Sequence, residues 1–383
     1  MCLSIKRKMQ ILKKFDIEAD FPEKKFTLRV IMRSIILLGS FFSILLISCC
    51  DTCNTGGPGD NDYSEDIFFS ALPVRSTQPS VFAVSPDGKN LREVLKNGII
   101  YSSPSSGYKI ALLMQDAQGD TILAVGSTLS DSVRTISLNK KYKRIFNPVI
   151  SQNDKYIAVA TDTKELLIVA NEVYTQFPSY NYCETSVASF SPDSRYLAFY
   201  EGDSLQSALT LKVVLSDYPK QVVFSKTYPD GLSQWKGDAT ISWASDGSFF
   251  CYVITNSGDG YDYIIANKID GSEVFRMQII GIGASQPEVS PDNASVAFAA
   301  KDGNIWRRTI SDGRSYKITN VDSTEEFCVY PQWTHDGKKI LYSRFEKTAV
   351  IGHFEGTLEI YNLETKRNMI LGNDVFRGFQ IKK

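Results

Sequence analysis

The sequence predicts an all-β protein, because a turn followed by an apolar strand recurs along the chain. The four clearest copies lie at 191–199 (SPDSRYLAF), 245–253 (SDGSFFCYV), 290–298 (SPDNASVAF) and 335–343 (HDGKKILYS). Their turns are 44 to 53 residues apart, and a repeat of that length is typical of a β-propeller. We therefore expect a propeller of four-stranded antiparallel blades.

Six turns align on one residue of each copy, which we call the anchor. The anchors are Ser106, Asn153, Asp193, Asp246, Asp292 and Asp336. Proline presets the backbone for a tight turn, and an aspartate carboxylate accepts hydrogen bonds from the backbone amides just beyond it. The anchor aspartates, together with Asp87 of a further Asp-Gly turn, are therefore predicted to be structural turn residues.

The residues on either side of each anchor predict strands. Downstream lie continuous apolar triplets such as 197–199 and 296–298, which fit strands that are covered on both faces. Upstream the pattern alternates, as a strand with two different faces should. The residues three positions before the anchors are mostly large and apolar and should pack between blades: Ser103, Ile150, Phe190, Trp243, Val289 and Trp333. The residues four positions before the anchors are mostly polar and should line a central channel: Ser102, Val149, Ser189, Ser242, Glu288 and Gln332.

A second repeated element, at 81–95, 264–277 and 305–319, reads as a hairpin of two outer strands. The Ser-Pro-Asp turn, the Leu-Ala-Phe or Val-Ala-Phe strand and the Asp-Gly hairpin together resemble the WD40-like repeat of TolB-like propellers. The resemblance covers residues 66–383. It implies the propeller fold, and by analogy it favours protein partners.

The two ends of the repeat region predict how the ring closes. Residues 66–97 lack an inner strand, whereas 375–381 (VFRGFQI) supply an apolar strand after the last repeat. Pairing these ends closes a seventh blade and removes unpaired sheet edges. Seven blades are preferred; six, as in TolB itself, or eight are the alternatives.

Residues 1–48 read as a signal peptide. The apolar stretch 35–47 follows Met32-Arg33 and is too short for a comfortable membrane span. Residues 46–49 (LISC) resemble the lipobox of bacterial lipoproteins, which implies lipidation of Cys49, with Cys50 as the alternative register. Acidic residues before Met32 suit a signal peptide poorly, so either Met32 is the true start or the first 31 residues are an atypical n-region. An uncleaved anchor helix is the alternative.

Residues 49–65 are rich in Gly, Asp and Asn and predict a flexible tether. Acidic residues after the lipobox cysteine resemble the export signal of Bacteroidetes-type surface lipoproteins. We therefore expect an outer-membrane lipoprotein on the periplasmic or cell-surface side, held to the membrane by its lipid. The chain carries a net charge of −1, and without residues 1–48 the charge is about −6, which gives no electrostatic basis for nucleic-acid binding.

No catalytic or cofactor motif stands out in the sequence. There is no Gly-x-Ser-x-Gly elbow of a propeller-bearing peptidase, and the two histidines are too few for the histidine-held metal of similar lyases. The three cysteines of the repeat region lie in different predicted blades and indicate no disulfide framework. The Cys50/Cys53 pair lacks the second ligand pair of a zinc site. We expect no metal and no cofactor, and a carboxylate glycosidase stays open.

The candidate ligand site lies in the channel between the fifth and sixth repeats. Gln286 and Glu288 face Tyr330 and Gln332 there, and all four fall in the polar register of the alternation. They predict a hydrogen-bonding rim with one acid; simple hydration of a water-filled channel is the alternative. An aromatic set could form an exposed patch or pack in the core: Tyr174, Tyr180, Tyr182 and Trp235.

We expect a non-catalytic module that binds a protein or a glycan at the bacterial envelope. Two alternatives remain: a propeller enzyme acting on a polysaccharide or peptide, and a purely structural scaffold of an envelope complex.

Overall fold

The computed structural model describes residues 65–380 except for short gaps. The gaps are 74–75, 117, 131, 139–141, 171–172, 176–180, 184–185, 203–207, 230–238, 257, 259 and 350–354. The predicted signal peptide, Cys49 and the tether up to residue 64 lie outside the described residues. Across the described part, no helix has the length and apolar character needed to cross a membrane. Residues 62–383 form one compact unit that contains every described strand and its own cores, as independent folding requires.

The described strands pair antiparallel; 20 of the 27 form five four-stranded sheets, which we call blades, and the other seven form one continuous sheet. Three strands precede the first complete blade: β1 (Ile67–Ala71), β2 (Ser80–Val84) and β3 (Arg92–Leu95). Blade 1 consists of β4 (Gly98–Ile100), β5 (Lys109–Gln115), β6 (Thr121–Ser127) and β7 (Val133–Ile136). Blade 2 consists of β8 (Ile145–Ile150), β9 (Tyr156–Thr161), β10 (Leu166–Ala170) and β11 (Val173–Thr175). Blade 3 consists of β12 (Ser189–Phe190), β13 (Tyr196–Glu201), β14 (Leu209–Leu215) and β15 (Val222–Tyr228).

The remaining strands follow the same plan. Blade 4 consists of β16 (Ser242–Trp243), β17 (Phe250–Asn256), β18 (Tyr261–Asn267) and β19 (Glu273–Ile279). Blade 5 consists of β20 (Ser285–Val289), β21 (Ser295–Ala299), β22 (Ile305–Thr309) and β23 (Ser315–Lys317). Blade 6 consists of β24 (Glu326–Trp333), β25 (Lys339–Glu346), β26 (Gly356–Asn362) and the first part of β27 (Arg367–Gln380). The expectation of an all-β protein with four-stranded antiparallel blades is confirmed.

The long strand β27 joins two units of the ring. Its first part pairs with β26, and its last part pairs with β1, so that Ile67 lies opposite Gln380 and Phe68 lies opposite Phe379. The sheet therefore runs β24-β25-β26-β27-β1-β2-β3. If this sheet is divided within β27, it gives two four-stranded units. The first is blade 6, and the second, blade 7, consists of the last part of β27 with β1, β2 and β3. This count agrees with the seven blades that the sequence favours.

Each anchor turn joins the first strand of a blade to the second. In blade 3, Phe190 pairs with Leu197 across the turn at Asp193, and in blade 5, Val289 pairs with Val296 across the turn at Asp292. The weak copies at Ser106 and Asn153 also head complete blades. In all six repeats, therefore, the innermost strand of the blade lies directly before the anchor turn.

The turn aspartates hold the backbone just beyond them. The carboxylate Oδ1 of each accepts a hydrogen bond from the amide two residues later, at 3.0 to 3.1 Å, in Asp87, Asp193, Asp246, Asp292 and Asp336. In two of the turns a serine hydroxyl at the turn start also donates to the carboxylate, from Ser191 and from Ser290. These bonds lock the turn and fix where the inner strand ends.

Apolar clusters fill the space between neighbouring blades. One cluster joins Tyr200 and Leu211 of blade 3 to Phe250 and Tyr252 of blade 4, all with at most 1 % exposure. The small central residue of the apolar triplet is fully buried as well, and Cys251 takes this place in blade 4. Small residues there let the sheets approach closely, which explains why a cysteine stands in for alanine.

Candidate functional site

A cavity of about 90 Å³ lies on the axis of the ring, and we call it the channel cavity. Every blade contributes residues to its lining, from its innermost strand or from the chain directly beside that strand. In order from blade 1 to blade 7 they are Tyr101, Ser102 and Ser103; Val149, Ile150 and Gln152; 187–190; Thr240 and Ile241; Glu288; Gln332; and Arg377 and Phe379. A cavity that touches all seven units is the central channel that the repeat predicts.

Five of the six residues at the fourth position before an anchor line the channel cavity. They are Ser102, Val149, Ser189, Glu288 and Gln332. The sixth, Ser242, is 2 % exposed, and its hydroxyl oxygen accepts a hydrogen bond of 3.0 Å from the amide of Val289. Ser242 therefore ties blade 4 to blade 5 instead of facing the channel.

Two of the four predicted ligand residues are turned away from the channel. Glu288 and Gln332 line it, whereas Gln286 and Tyr330 are absent from its lining and are 3 % and 2 % exposed. Both have a positive φ, 52° and 56°, at a break in strand register. A β-bulge inserts an extra residue and re-aims the side chain.

The bulge places these side chains between blades. The side-chain Oε1 of Gln286 accepts a hydrogen bond of 2.8 Å from the backbone amide of Tyr330. Asn147 holds the same position in blade 2, with φ of 50°, and its amide donates to the carbonyl of Ser186 at 2.9 Å. The bulged side chains therefore connect neighbouring inner strands, and they bring Gln286 and Tyr330 together outside the channel lining.

A buried arginine that the sequence analysis did not single out closes one side of the channel. The Arg377 guanidinium lies 4.5 Å from the ring centre of Tyr330 and 4.7 Å from that of Phe379, and the residue is 8 % exposed. Arginine stacks on aromatic faces more readily than lysine does. Because Arg377 lies in the closing strand, which has no turn motif, the repeat gave no signal for it.

A second cavity, of about 200 Å³, opens at the turn end of the channel, and we call it the mouth. It shares Gln152, Ser189, Phe190 and Glu288 with the channel cavity. Its wall also contains aromatic and proline residues and one histidine: Pro192, Trp243, Pro291, Trp333 and His335. Within the described part of the chain, Glu288 is the one carboxylate in either lining.

The two tryptophans of the mouth are fixed by hydrogen bonds to the preceding blade. Trp243 Nε1 donates to the carbonyl of Ser189 at 3.1 Å, and Trp333 Nε1 donates to the carbonyl of Glu288 at 3.0 Å. The Trp243 ring also stacks on Tyr196 at 6.2 Å. Each indole therefore packs between blades, as expected, and both tryptophans also line the mouth. The sequence analysis missed this second role.

The anchor carboxylates around the mouth are held by the turns. The Ser290 hydroxyl, aided by the amide of Ala294, lowers the pKa of Asp292, and the Ser248 hydroxyl and amide lower the pKa of Asp246. A carboxylate that accepts several hydrogen bonds is stabilised in its charged form. These aspartates therefore stay ionised at neutral pH, while their oxygens serve the backbone.

The structure places His335 at the mouth and Tyr182 in the core, which for Tyr182 is one of the two alternatives that the sequence left open. His335 lines the mouth, and its backbone amide donates to Gln380 Oε1 of the closing strand at 2.7 Å. Tyr182 is 1 % exposed and donates its hydroxyl to the carbonyl of Ser186 at 2.7 Å, so it is a core residue. Tyr180 and Trp235 lie outside the described residues, as does the side chain of Tyr174.

The described cysteines and acids give no cluster of metal ligands. Cys183, Cys251 and Cys328 are buried and free, and burial raises the pKa of the Cys251 thiol well above its usual value. Among the residues that the structure describes, no group of three or more His, Cys, Asp or Glu side chains is placed to hold a metal ion.

Comparison with known proteins gives likenesses of fold. Neither a protein-family model nor a curated protein matches the sequence. TolB from Acinetobacter baumannii matches with a TM-score of 0.47 and 16% identity, over 79% of this chain and 77% of that chain. Hydrazine synthase from Kuenenia stuttgartiensis matches with a TM-score of 0.49 and 10% identity, over 69% of this chain and 77% of that chain. TolB, whose repeat the sequence resembles, is thus among the structural neighbours of the chain.

Proposed function

We propose that this protein is a non-catalytic binding module of the bacterial envelope, whose mouth receives a side chain from an exposed segment of a protein partner. The observation that carries the proposal is the composition of the mouth, whose lining combines the aromatic side chains Trp243 and Trp333 with the acidic residue Glu288. Ring faces attract apolar groups and cations, and a carboxylate in the same wall favours a cation.

The chemistry of the wall defines the occupant. Because both indole N–H groups are bonded to backbone carbonyls, the tryptophans offer apolar surface and no free donor of their own. An arginine or lysine side chain with its long apolar stem fits such a wall, since the stem lies on ring surface while the head meets Glu288. A sugar ring is the competing occupant, because it also stacks on indole.

The proposal includes attachment to the membrane through a lipid on Cys49, in the outer membrane on the periplasmic or cell-surface side. It rests on the lipobox-like residues 46–49 and on the apolar stretch before them. Cys49→Ala should release the protein from the membrane fraction, which fractionation and mass measurement of the N-terminal peptide will test. Unchanged membrane association of this variant would contradict lipidation at Cys49.

The partner is tested by affinity purification from gently solubilised envelopes. The tagged full-length protein is compared with a soluble form that begins at Asp62, the start of the compact unit. Recovery of the same stoichiometric protein with both forms supports the proposal. Failure of both, together with retention on immobilised envelope glycans, would replace the protein partner by a glycan.

Two variants locate the site once a partner is recovered. Glu288→Ala should fold normally and weaken binding at least about tenfold, since a hydrogen bond to a charged group contributes about 1.5 to 3 kcal/mol. Glu364→Ala removes an exposed carboxylate in the β26–β27 hairpin and serves as the control. Full affinity of the Glu288 variant would move the site from the mouth to the blade loops.

A further inference from the structure

A pocket of about 260 Å³ lies between blades 1 and 2, away from the central axis, and we call it the lateral pocket. Its wall comes from β5, β6 and β7 on one side, and from β8, β9, β10 and the Asn153 turn on the other. Its lining combines aliphatic and charged residues: Lys109, Val125, Arg134, Ile136, Ile150, Asp154, Lys155, Ile157 and Val169. Only Ile150 borders the channel cavity as well.

The inside of the lateral pocket is aliphatic. Ile150, Ile157 and Val169 belong to the core cluster between the two blades and are 4 %, 6 % and 2 % exposed. Val125 and Ile136 pack against the same cluster and are half-buried. A wall of five branched aliphatic side chains accepts a flexible hydrocarbon chain, because it offers contact surface and no hydrogen-bonding groups.

The rim of the lateral pocket is cationic. Lys109, Arg134 and Lys155 contribute three positive charges, and Asp154 contributes the one negative charge of the lining. Lys109 Nζ lies 3.7 Å from Asp154 Oδ2, with 51% of the lysine side chain exposed. The lining therefore carries a surplus of two positive charges, which favours an anionic head group at the pocket entrance.

From this arrangement we infer that the lateral pocket binds a medium-chain fatty carboxylate of about eight carbons, with its hydrocarbon chain against the aliphatic wall and its carboxylate at the cationic rim. The volume lies near the lower end of small-molecule sites, which are roughly 300 to 1,000 Å³, so the ligand is a medium-length acyl chain and not a whole phospholipid. This site is independent of the mouth and of the proposed protein partner.

The test is isothermal titration calorimetry on residues 62–383, with octanoate as the probe. We expect saturable binding at one site for octanoate and none for octylammonium, which has the same chain and the opposite charge. The double variant Arg134→Gln/Lys155→Gln should weaken octanoate binding about fivefold to tenfold, since exposed ion pairs are individually weak. Lys268→Gln, an exposed lysine of the blade 4 hairpin, should leave the affinity unchanged.

Two further variants separate the wall from the rim. Val125→Phe should abolish binding, because the larger ring fills the pocket from a half-buried position. Asp154→Asn should tighten binding about threefold, because it removes the one negative charge near the head group. Asparagine tolerates the positive φ of 62° at this position. Equal binding of octylammonium, or undiminished binding in Val125→Phe, would overturn the inference.

Discussion

A chain of buried hydrogen bonds between blades 3 and 4 gives the sharpest stability prediction. The hydroxyls of Tyr228 and Tyr252 are 2.5 Å apart, and the Tyr252 hydroxyl donates to Asn267 Oδ1 at 2.6 Å. Since a hydroxyl has one proton, Tyr228 must be the donor to Tyr252. Asn267 in turn donates to the carbonyl of Gly271 at 3.0 Å. Tyr252 is thus the central member of the chain.

Tyr252→Phe removes two hydrogen bonds and leaves two buried partners without them. Tyr228 and Asn267 are 8 % and 1 % exposed, so water cannot fully replace the lost hydroxyl. An unsatisfied buried group costs about 1 to 3 kcal/mol, and we expect a total loss of about 3 kcal/mol. Tyr228→Phe should cost only about 1 kcal/mol, because Tyr252 still donates to Asn267.

Urea unfolding of residues 62–383, followed by tryptophan fluorescence, measures these changes as shifts of the midpoint at constant slope. Tyr218→Phe is the matched control, because Tyr218 is 58% exposed and should stay within about 0.5 kcal/mol of the wild type. If Tyr252→Phe is no more destabilised than this control, the hydrogen-bond chain does not contribute as the structure indicates.

Four further predictions concern other parts of the ring. Burial raises the pKa of Tyr228 to about 12, so the unfolded chain loses its proton first and stability should fall between pH 10 and 12. Tyr228→Phe should remove up to about 3 kcal/mol of that fall. If the unfolding free energies of the two proteins, measured by urea unfolding, decline equally between pH 10 and 12, the prediction is wrong. Asp193→Ala should lower the free energy of unfolding by about 1 kcal/mol, as the loss of a helix N-cap side chain does. An unchanged urea midpoint would show that the turn does not need its carboxylate. Phe379→Ala in the closing strand should cost about 3 to 5 kcal/mol, and a midpoint shift below 1 kcal/mol would mean that blade 7 is closed in another way. Burial raises the pKa of Cys328 to about 12 and also raises that of Cys251. In residues 62–383, an aromatic disulfide reagent should therefore label these thiols only on unfolding, and rapid labelling of the native form of this fragment would contradict their burial.

The turn and the apolar strand after it were predictable because both depend on local chemistry. At Asp193 and Asp292 the carboxylate accepts a hydrogen bond from the amide two residues later. Such a turn depends only on neighbouring residues and not on the rest of the fold. The closing strand was predictable from a surplus of apolar residues at 375–381. Alternation also placed Glu288 and Gln332 correctly in the channel lining.

The bulges and the closing arginine were not predictable in the same way. A non-glycine residue with positive φ, such as Gln286 or Tyr330, leaves no mark in a two-residue alternation. The bulge is required by how neighbouring inner strands fit together, which is a property of the assembled ring. The place of Arg377 against Tyr330 also depends on the join between the two ends of the chain.

The pairing of β1 with β27 has a consequence for the order in which the protein is made. Gln380 donates a hydrogen bond to the carbonyl of Glu65 across 315 positions of the chain. Blades 1 to 5 use strands that leave the ribosome close together, whereas β1 has β2 on one side but lacks β27 on the other until residue 380 has been made. At about 5 to 20 residues per second, the wait lasts roughly 15 to 60 seconds. During that interval the free edge of β1 is open to wrong partners, so a holding chaperone should recognise the nascent chain there.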